Sequence, residues 1–255
     1  MKVAASLGLW LFIALTCPIL FIGALVLWAA TAPFDHRLRA LHRYTCAWAS
    51  LYTYVFPFWT VQVRGRDRLL DGATYVLVAN HQSLLDILVL FRLYKHYKWV
   101  SKVEIFRVPF VGWNMTLNRY IAIRRGDRSD ASRMMEACGE ALETGSSIMI
   151  FPEGTRSPTG AIRDFRHGAF TLACRHHTPI LPIVVDGTLD ALPKHGLTLR
   201  ERADIVIQVL EPIDPATFAD ADTLRDHVRE VMVAALARLR ASRHADPHER
   251  RVAAS

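Results

Sequence analysis

The chain has 255 residues, is 51% hydrophobic and carries a formal net charge of +7. That length suffices for one sizeable domain with a buried core plus a smaller appendage. A basic chain suits an anionic membrane surface, a phosphate-bearing substrate or nucleic acid. The basic residues are scattered and form no recognisable nucleic-acid-binding module, so we expect no nucleic-acid partner. The four cysteines are widely spaced and predict neither a metal site nor a disulfide.

The amino-terminal end contains a long apolar segment. No charged residue lies between Lys2 and Asp35, and this stretch exceeds the roughly 20 apolar residues that cross a bilayer. A secretory signal is the alternative, because residues 30–32 (Ala-Thr-Ala) resemble a cleavage site, but the apolar run is about twice the usual length. Pro18 lies near the middle of the segment and leaves open both a kinked span and a shallow helical hairpin.

The charges that flank this segment predict its orientation. Arg37, Arg39 and Arg43 follow the segment, whereas only Lys2 and the amino terminus precede it. The positive-inside bias therefore predicts a membrane protein whose bulk lies on the cytoplasmic face, which is the inner membrane if the source is bacterial.

A second uncharged run covers residues 45–63 and is rich in Trp, Tyr and Phe. Its composition fits either the headgroup boundary of a bilayer or a buried helix and strand of the domain, and the sequence leaves both open. We divide the chain into a membrane-associated helical region (1–58), a folded domain (59–241) and a flexible polar tail (242–255).

After residue 60, short β-rich runs alternate with helical patterns. This alternation predicts an α/β domain around a largely buried sheet. We expect helices near 84–96, 129–143 and 168–176, and an apolar stripe at helical spacing predicts another between Leu224 and Leu239. The expected strands are 60–63, 75–79, 99–101, 120–123, 147–151, 180–185 and 205–209.

Residues 80–86 read NHQSLLD and place His81 five residues before Asp86. Side chains five apart on one helix point about 140° apart, so this pair can meet only if His81 precedes the helix and Asp86 lies in its first turn. Ser83 and Asp86 have the spacing of a capping box with Ser83 as the N-cap, which supports that arrangement. The motif is therefore either a helix cap alone or also a histidine base oriented by a carboxylate.

Two further stretches carry polar groups directly after apolar strands, where α/β sheets commonly bind ligands. Residues 151–157 read FPEGTRS, and residues 120–128 read YIAIRRGDR. Guanidinium groups suit a phosphate, and a carboxylate suits sugar or glycerol hydroxyls. Each stretch taken alone is also explained by an exposed turn. The candidate binding residues are Lys102, Arg124, Arg125, Arg128, Glu153, Gly154, Thr155 and Arg156.

In their order along the chain, these stretches resemble the sequence blocks of the glycerolipid acyltransferase family, specifically the 1-acyl-glycerol-3-phosphate acyltransferases. NHQSLLD has the form N-H-x-x-x-x-D of the first block, and FPEGTRS matches the third throughout. AIRRGDR matches the second with Arg124 where the family often has Asp, so which of Arg124 and Arg125 meets phosphate stays open. Residues 181–183 match the fourth block loosely, and Lys102 fits the family's Lys-x-Glu piece.

The resemblance covers about residues 75–190 and implies a glycerolipid-acyltransferase-like α/β domain, with a central mixed sheet flanked by helices, behind an amino-terminal membrane-associated helical segment. It implies acyl transfer from acyl-CoA or acyl carrier protein to the sn-2 hydroxyl of lysophosphatidic acid in the bilayer, giving phosphatidic acid. The family needs no metal or other cofactor. Alternatives are acylation of another lysolipid, such as a lyso-ornithine lipid, or binding of anionic lipid without turnover.

The resemblance also implies roles for single residues. His81 would deprotonate the substrate hydroxyl, and Asp86 would orient His81. Glu153 would contact the glycerol portion, while Arg125 and Arg156 would hold the phosphate. The sequence contains no recognisable serine or cysteine nucleophile, in agreement with a base that acts on a substrate hydroxyl.

Overall fold

The computed structural model describes residues 2–56, 59–124, 126, 128–193, 199 and 202–244. Its strands are β1 (Trp59–Arg64), β2 (Val76–Ala79), β3 (Tyr97–Lys102), β4 (Ile121–Ile123), β5 (Ser147–Ile150), β6 (Ile180–Asp186) and β7 (Ala203–Val209). Its helices are α1 (Lys2–Thr31), α2 (Arg39–Val55), α3 (Leu85–Leu90), α4 (Val111–Leu117), α5 (Arg128–Glu143), α6 (Gly168–Arg175), α7 (Thr188–Ala191) and α8 (Ala221–His244).

The strands form one mixed sheet in the order β1-β7-β6-β2-β5-β3-β4. Strands β6, β2, β5, β3 and β4 run parallel to one another, and β7 lies antiparallel to β6. Strand β1 pairs in parallel with β7. The prediction of a central mixed sheet flanked by helices is confirmed, and the carboxyl ends of the five parallel strands meet at one edge.

Helices cover both faces of the sheet, which explains why its central strands are apolar at successive positions. Val76, Ile148 and Ile180 lie side by side in register and face one buried cluster, to which α5, α6 and α8 contribute. The next residue of each strand faces a second buried cluster, to which α2 and α3 contribute. All seven predicted strands are present, with ends within two residues of those expected.

The helix predicted for residues 84–96 is shorter than expected. Helix α3 ends at Leu90, a 3-10 turn covers residues 91–93, and Tyr94 takes a left-handed conformation with φ 53°. Such a residue stops a right-handed helix, and β3 then begins at Tyr97, two residues earlier than predicted.

The apolar stripe near the carboxyl end is confirmed as a packed helix. Leu224, Val228 and Met232 of α8 are fully buried in the cluster on one sheet face. Helix α8 extends to His244, beyond the predicted start of the tail at residue 242, and residues 245–255 lie outside the described part of the chain.

The amino-terminal apolar segment forms one continuous helix, α1, which passes through Pro18. A hairpin that turns within this segment, one of the two predicted forms, is therefore wrong. Residues Ser6–Thr31 are apolar and long enough to cross a membrane, by length and composition. Helix α2 packs against α1, and Tyr44 Oη of α2 donates to the Leu20 carbonyl (2.9 Å). The run at 45–63 accordingly contains a largely buried helix and a strand.

Candidate active site

The sheet brings the sequence-predicted stretches to one edge, although they lie far apart in the chain. His81 follows the carboxyl end of β2, and Glu153 follows that of β5. Lys102 ends β3, and Arg124 follows β4. Because these four strands are parallel, their polar residues share the edge at which α/β sheets bind ligands.

His81 and Asp86 meet as the loop-and-helix geometry predicts. His81 lies in the loop before α3, Asp86 is the second residue of that helix, and His81 Nδ1 lies 2.8 Å from Asp86 Oδ2. A carboxylate only accepts hydrogen bonds, so Nδ1 carries the ring proton and Nε2 keeps its lone pair. The side chain of Asp86 is 0% exposed and that of His81 is 11% exposed, so the pair can offer a base to a ligand at this edge.

The Asp86 carboxylate also organises the start of the helix. Besides His81, its Oδ2 accepts from the backbone N–H groups of Gln82 (2.7 Å) and Ser83 (2.8 Å). Its Oδ1 accepts a hydrogen bond from the Thr188 hydroxyl. Four donors therefore converge on one buried anion and hold its orientation.

The predicted cap is only half correct. The bond from Ser83 N–H to the Asp86 side chain is the carboxylate half of a capping box. However, α3 begins at Leu85 and its N-cap position is Leu84, so the assignment of Ser83 as N-cap is wrong. The Ser83 hydroxyl donates to the distant Leu192 carbonyl (2.7 Å), and the Leu85 N–H reaches Ser83 Oγ at 3.3 Å.

The ring of His81 is fixed from a second side by Phe151. The two rings stack with their centroids 4.0 Å apart and an interplanar angle of 10°. Trp99 packs on Phe151 in turn (5.4 Å). Contact with Phe151 and the bond to Asp86 together restrict both the tilt and the rotation of the imidazole.

Glu153 is buried and ties two loops together. Its Oε1 accepts from the His81 N–H (2.7 Å), and its Oε2 accepts from the Arg163 N–H (3.0 Å). Burial raises the pKa of the Glu153 carboxyl, and the two backbone donors act in the opposite direction. Glu153 thus positions the backbone of His81, while its predicted contact with glycerol stays a prediction.

The rest of the FPEGTRS loop wraps the same histidine. The Ser157 N–H donates to the His81 carbonyl at 2.7 Å. Gly154 has φ +71°, a left-handed conformation that favours glycine, and an added Cβ would meet the guanidinium of Arg166. Thr155 and Arg156, in the same loop, are half-buried, and their predicted contact with the substrate stays a prediction.

The other predicted cationic residues are more exposed. Lys102 is 46% exposed and pairs with Glu104 (3.1 Å). The side chain of Arg124 is exposed, and the backbone N–H of Arg124 donates to Asp130 Oδ2 (3.0 Å). Arg125 lies outside the described residues, and the side chain of Arg128 is not described either. Which of Arg124 and Arg125 meets phosphate therefore stays an open prediction.

Thr188 and Phe151 contact the His81–Asp86 pair, and sequence reasoning assigned neither of them a role. Phe151 was visible only as the first letter of a loop motif. Thr188 follows the run LPIVVDG, which was interpreted as a strand leading to a turn. Its relevance depends on β6 lying beside β2, and a sequence alone does not give that strand order.

The chain is similar in sequence to known acyltransferases. A sequence model of the acyltransferase family matches residues 60–186. A 1-acyl-sn-glycerol-3-phosphate acyltransferase of Chlamydomonas reinhardtii is 33% identical over 229 residues, which cover 89% of this chain and 67% of that protein. A chloroplastic relative of the same name from Brassica napus is 34% identical over 198 residues, covering 77% and 56%.

A solved structure is also similar along nearly the whole chain. The crystal structure of the 1-acyl-sn-glycerophosphate (LPA) acyltransferase PlsC from Thermotoga maritima superposes with a TM-score of 0.79 at 27% identity. The match covers 94% of this chain and 96% of that one. The chain therefore belongs to the acyltransferase family.

Within that family, the relatives named above are 1-acyl-sn-glycerol-3-phosphate acyltransferases. The chain is similar to them in sequence and in fold. It spans 56% of the Brassica protein and 67% of the Chlamydomonas protein.

Proposed function

We propose that the protein transfers an acyl chain from a thioester to the sn-2 hydroxyl of 1-acyl-glycerol-3-phosphate and so forms phosphatidic acid. The observation that carries this proposal is the His81–Asp86 bond, which leaves His81 Nε2 as a base at the edge that also presents cationic residues. The similarity to enzymes named for this reaction supports the choice of substrate.

The geometry of the pair supports the following reaction. His81 Nε2 accepts the proton of the substrate hydroxyl while the oxygen attacks the thioester carbonyl carbon. Asp86 stabilises the imidazolium that forms, because its carboxylate faces Nδ1 at 2.8 Å. The new ester C–O bond forms, the C–S bond breaks, and the thiolate leaves with the proton from His81. No covalent acyl-enzyme is needed.

Cations near the base would hold the phosphate of the acceptor. Arg156 in the loop after β5, Lys102 at the end of β3 and Arg124 after β4 lie along the same edge as His81. Guanidinium groups bind phosphate oxygens in a bidentate manner, and an ammonium adds a point charge. The acyl donor is either acyl-CoA or an acyl carrier protein, since both present the same thioester.

We also infer that α1 lies within one leaflet on the cytoplasmic side. One side of α1 packs on the rest of the protein along its length. Near its start, the Leu199 N–H donates to Ser6 Oγ (2.9 Å). Farther along, the ring centroids of Phe21 and Trp113 lie 5.6 Å apart. A span would carry these contacts into hydrocarbon. Large apolar residues on α1 are 60–68% exposed and recur three to four positions apart, so they form one exposed apolar face opposite the packed side. They are Leu7, Leu11, Leu15, Ile19, Ile22 and Val26.

The proposal is tested by assaying the purified protein in detergent with lysophosphatidic acid and either acyl-CoA or acyl carrier protein thioester. Phosphatidic acid is the expected product, and its absence with both donors would overturn the proposal. His81→Ala should lower turnover about 10²–10⁴-fold but retain lipid binding. His177→Ala changes an exposed histidine elsewhere and should leave turnover unchanged. A lyso-ornithine lipid in the same assay tests the alternative acceptor.

A further inference from the structure

Thr188 lies directly behind the proposed catalytic pair. Its side chain is fully buried, and its hydroxyl donates to Asp86 Oδ1, while the other oxygen of the same carboxylate faces His81. The carboxylate can only accept, so the threonine O–H must point toward it. The hydroxyl therefore fixes the rotation of the Asp86 carboxylate about its terminal torsion.

The backbone at Thr188 is held in place by several contacts. Gly187 has φ +89°, and an added Cβ there would collide with the carbonyl of Asp204. The buried Asp186 pairs with Arg240 (3.1 Å) and Arg243 (2.6 Å) of α8. The end of β6 and the start of α7 are thus anchored to the carboxyl-terminal helix, and the Thr188 hydroxyl has a fixed position.

The same helix also reaches the other side of the site. Arg240 donates to the Gly160 carbonyl (2.9 Å), in the segment that follows the FPEGTRS loop. Arg240 therefore links Asp186, at the end of β6 just before Thr188, to Gly160, in the segment that follows Glu153 and its loop. This arrangement explains why a hydroxyl more than 100 residues from Asp86 in sequence can meet it.

The hydroxyl has a chemical consequence as well as a geometric one. Oδ2 is the atom that stabilises a protonated His81, and it does so only while it faces Nδ1. Without the donor, Oδ1 would be a buried carboxylate oxygen short of a partner, and the carboxylate would be free to turn toward other donors. Both the direction and the strength of the Asp86–His81 bond depend on position 188.

We propose that Thr188 is a positioning residue for acyl transfer, which holds Asp86 so that Oδ2 meets His81 Nδ1. This inference rests on the function proposed above. The decisive variants are Thr188→Val, which keeps the shape and removes the donor, and Thr188→Ser, which keeps the donor. Thr178→Val is the matched control, because Thr178 is also buried but its hydroxyl bonds a backbone carbonyl, that of His176.

Turnover and its pH dependence are measured for the three variants in detergent. Thr188→Val should lower kcat about 10- to 100-fold with KM for lysophosphatidic acid within about twofold, as for loss of a hydrogen bond to a charged group. The acidic limb of its pH–kcat profile should move to lower pH, because a carboxylate turned away from Nδ1 stabilises the imidazolium less. Thr188→Ser should restore both quantities to near wild-type values. Equal losses in Thr188→Val and Thr178→Val, without a pH shift, would overturn the proposal.

A titration of the His81 ring by NMR separates this inference from the proposed function, because it needs no substrate. The His81 midpoint should fall in Thr188→Val and return in Thr188→Ser, even if the wild-type protein forms no phosphatidic acid; a rise would contradict the positioning role. An unchanged midpoint in Thr188→Val would overturn the role of Thr188, even if the wild-type protein is an active acyltransferase.

Discussion

Acidification should lower the free energy of unfolding because of two buried histidines. They lie near the sheet edge opposite the active site. Burial, reinforced by the nearby charges of Lys98 and Arg39, lowers the pKa of His96 to about 3. Burial also lowers the pKa of His42 well below its ordinary value, and its ring centroid lies 5.3 Å from that of His96. Both rings are therefore neutral in the folded protein at pH 7.

The sign and size of the effect follow from linkage. A histidine whose folded pKa is depressed contributes full stability above its unfolded pKa of 6.5, and loses that stability as pH falls toward the folded pKa. Between pH 7 and pH 5 the unfolded chain takes up most of one proton at His96, which costs about 2 kcal/mol. The pKa of His42 is lowered in the same direction, so His42 adds to this loss of stability.

Denaturant unfolding in a non-ionic detergent at pH 7 and pH 5 measures this loss. His96→Gln keeps a partner for the Ser146 hydroxyl, which lies 3.1 Å from His96 Nε2, and should reduce the loss between the two pH values by about 2 kcal/mol. His227→Gln removes an exposed histidine and should reproduce the wild-type change. An identical pH dependence in wild type and His96→Gln would refute the reasoning.

Three further predictions concern the site. Glu153→Gln leaves one acceptor for two backbone N–H groups, so kcat should fall about tenfold with little change in KM. Glu211→Gln, at an exposed ion pair with Arg68 away from the site, should change neither. A raised KM alone in Glu153→Gln would instead indicate a glycerol contact. Phe151→Leu removes the stacked ring beneath His81 and should lower kcat severalfold without unfolding the protein, as measured by turnover and circular dichroism. Gly187→Ala should lower the free energy of unfolding by more than the roughly 1 kcal/mol expected for Gly72→Ala, because both have positive φ but only Gly187 faces a backbone carbonyl.

The fold could be predicted to the level of its elements because its signals are local. Each strand is a short apolar run, and the buried stripe of α8 has helical spacing. The predicted helix at 84–96 was too long because the left-handed Tyr94 is not a glycine and gives no warning in the sequence. Strand order also had no local signal, since β7 enters between β1 and β6 from far along the chain.

The contacts of the site also divide into those that have a local sequence signal and those that have none. The His81–Asp86 contact could be derived because it depends only on where a helix begins. Ser83 was assigned as the N-cap from a local rule, but the helix begins one residue later than that rule places it, and the Ser83 hydroxyl donates to a distant partner, the Leu192 carbonyl. Glu153, Thr188 and Phe151 contact the pair across neighbouring strands, so their contacts depend on tertiary packing that no spacing rule contains.

The two interpretations of NHQSLLD, a helix cap and a catalytic base, turn out to describe one carboxylate. Asp86 Oδ2 accepts from the backbone at the start of α3 and from His81 at the same time. The donors that fix the helix therefore also fix the acceptor that orients the imidazole. An amide at position 86 would place an N–H group or a weaker acceptor against these donors, so a change of this carboxylate that releases the imidazole also disturbs the helix start. Stability and catalysis are coupled at this residue by its hydrogen bonds.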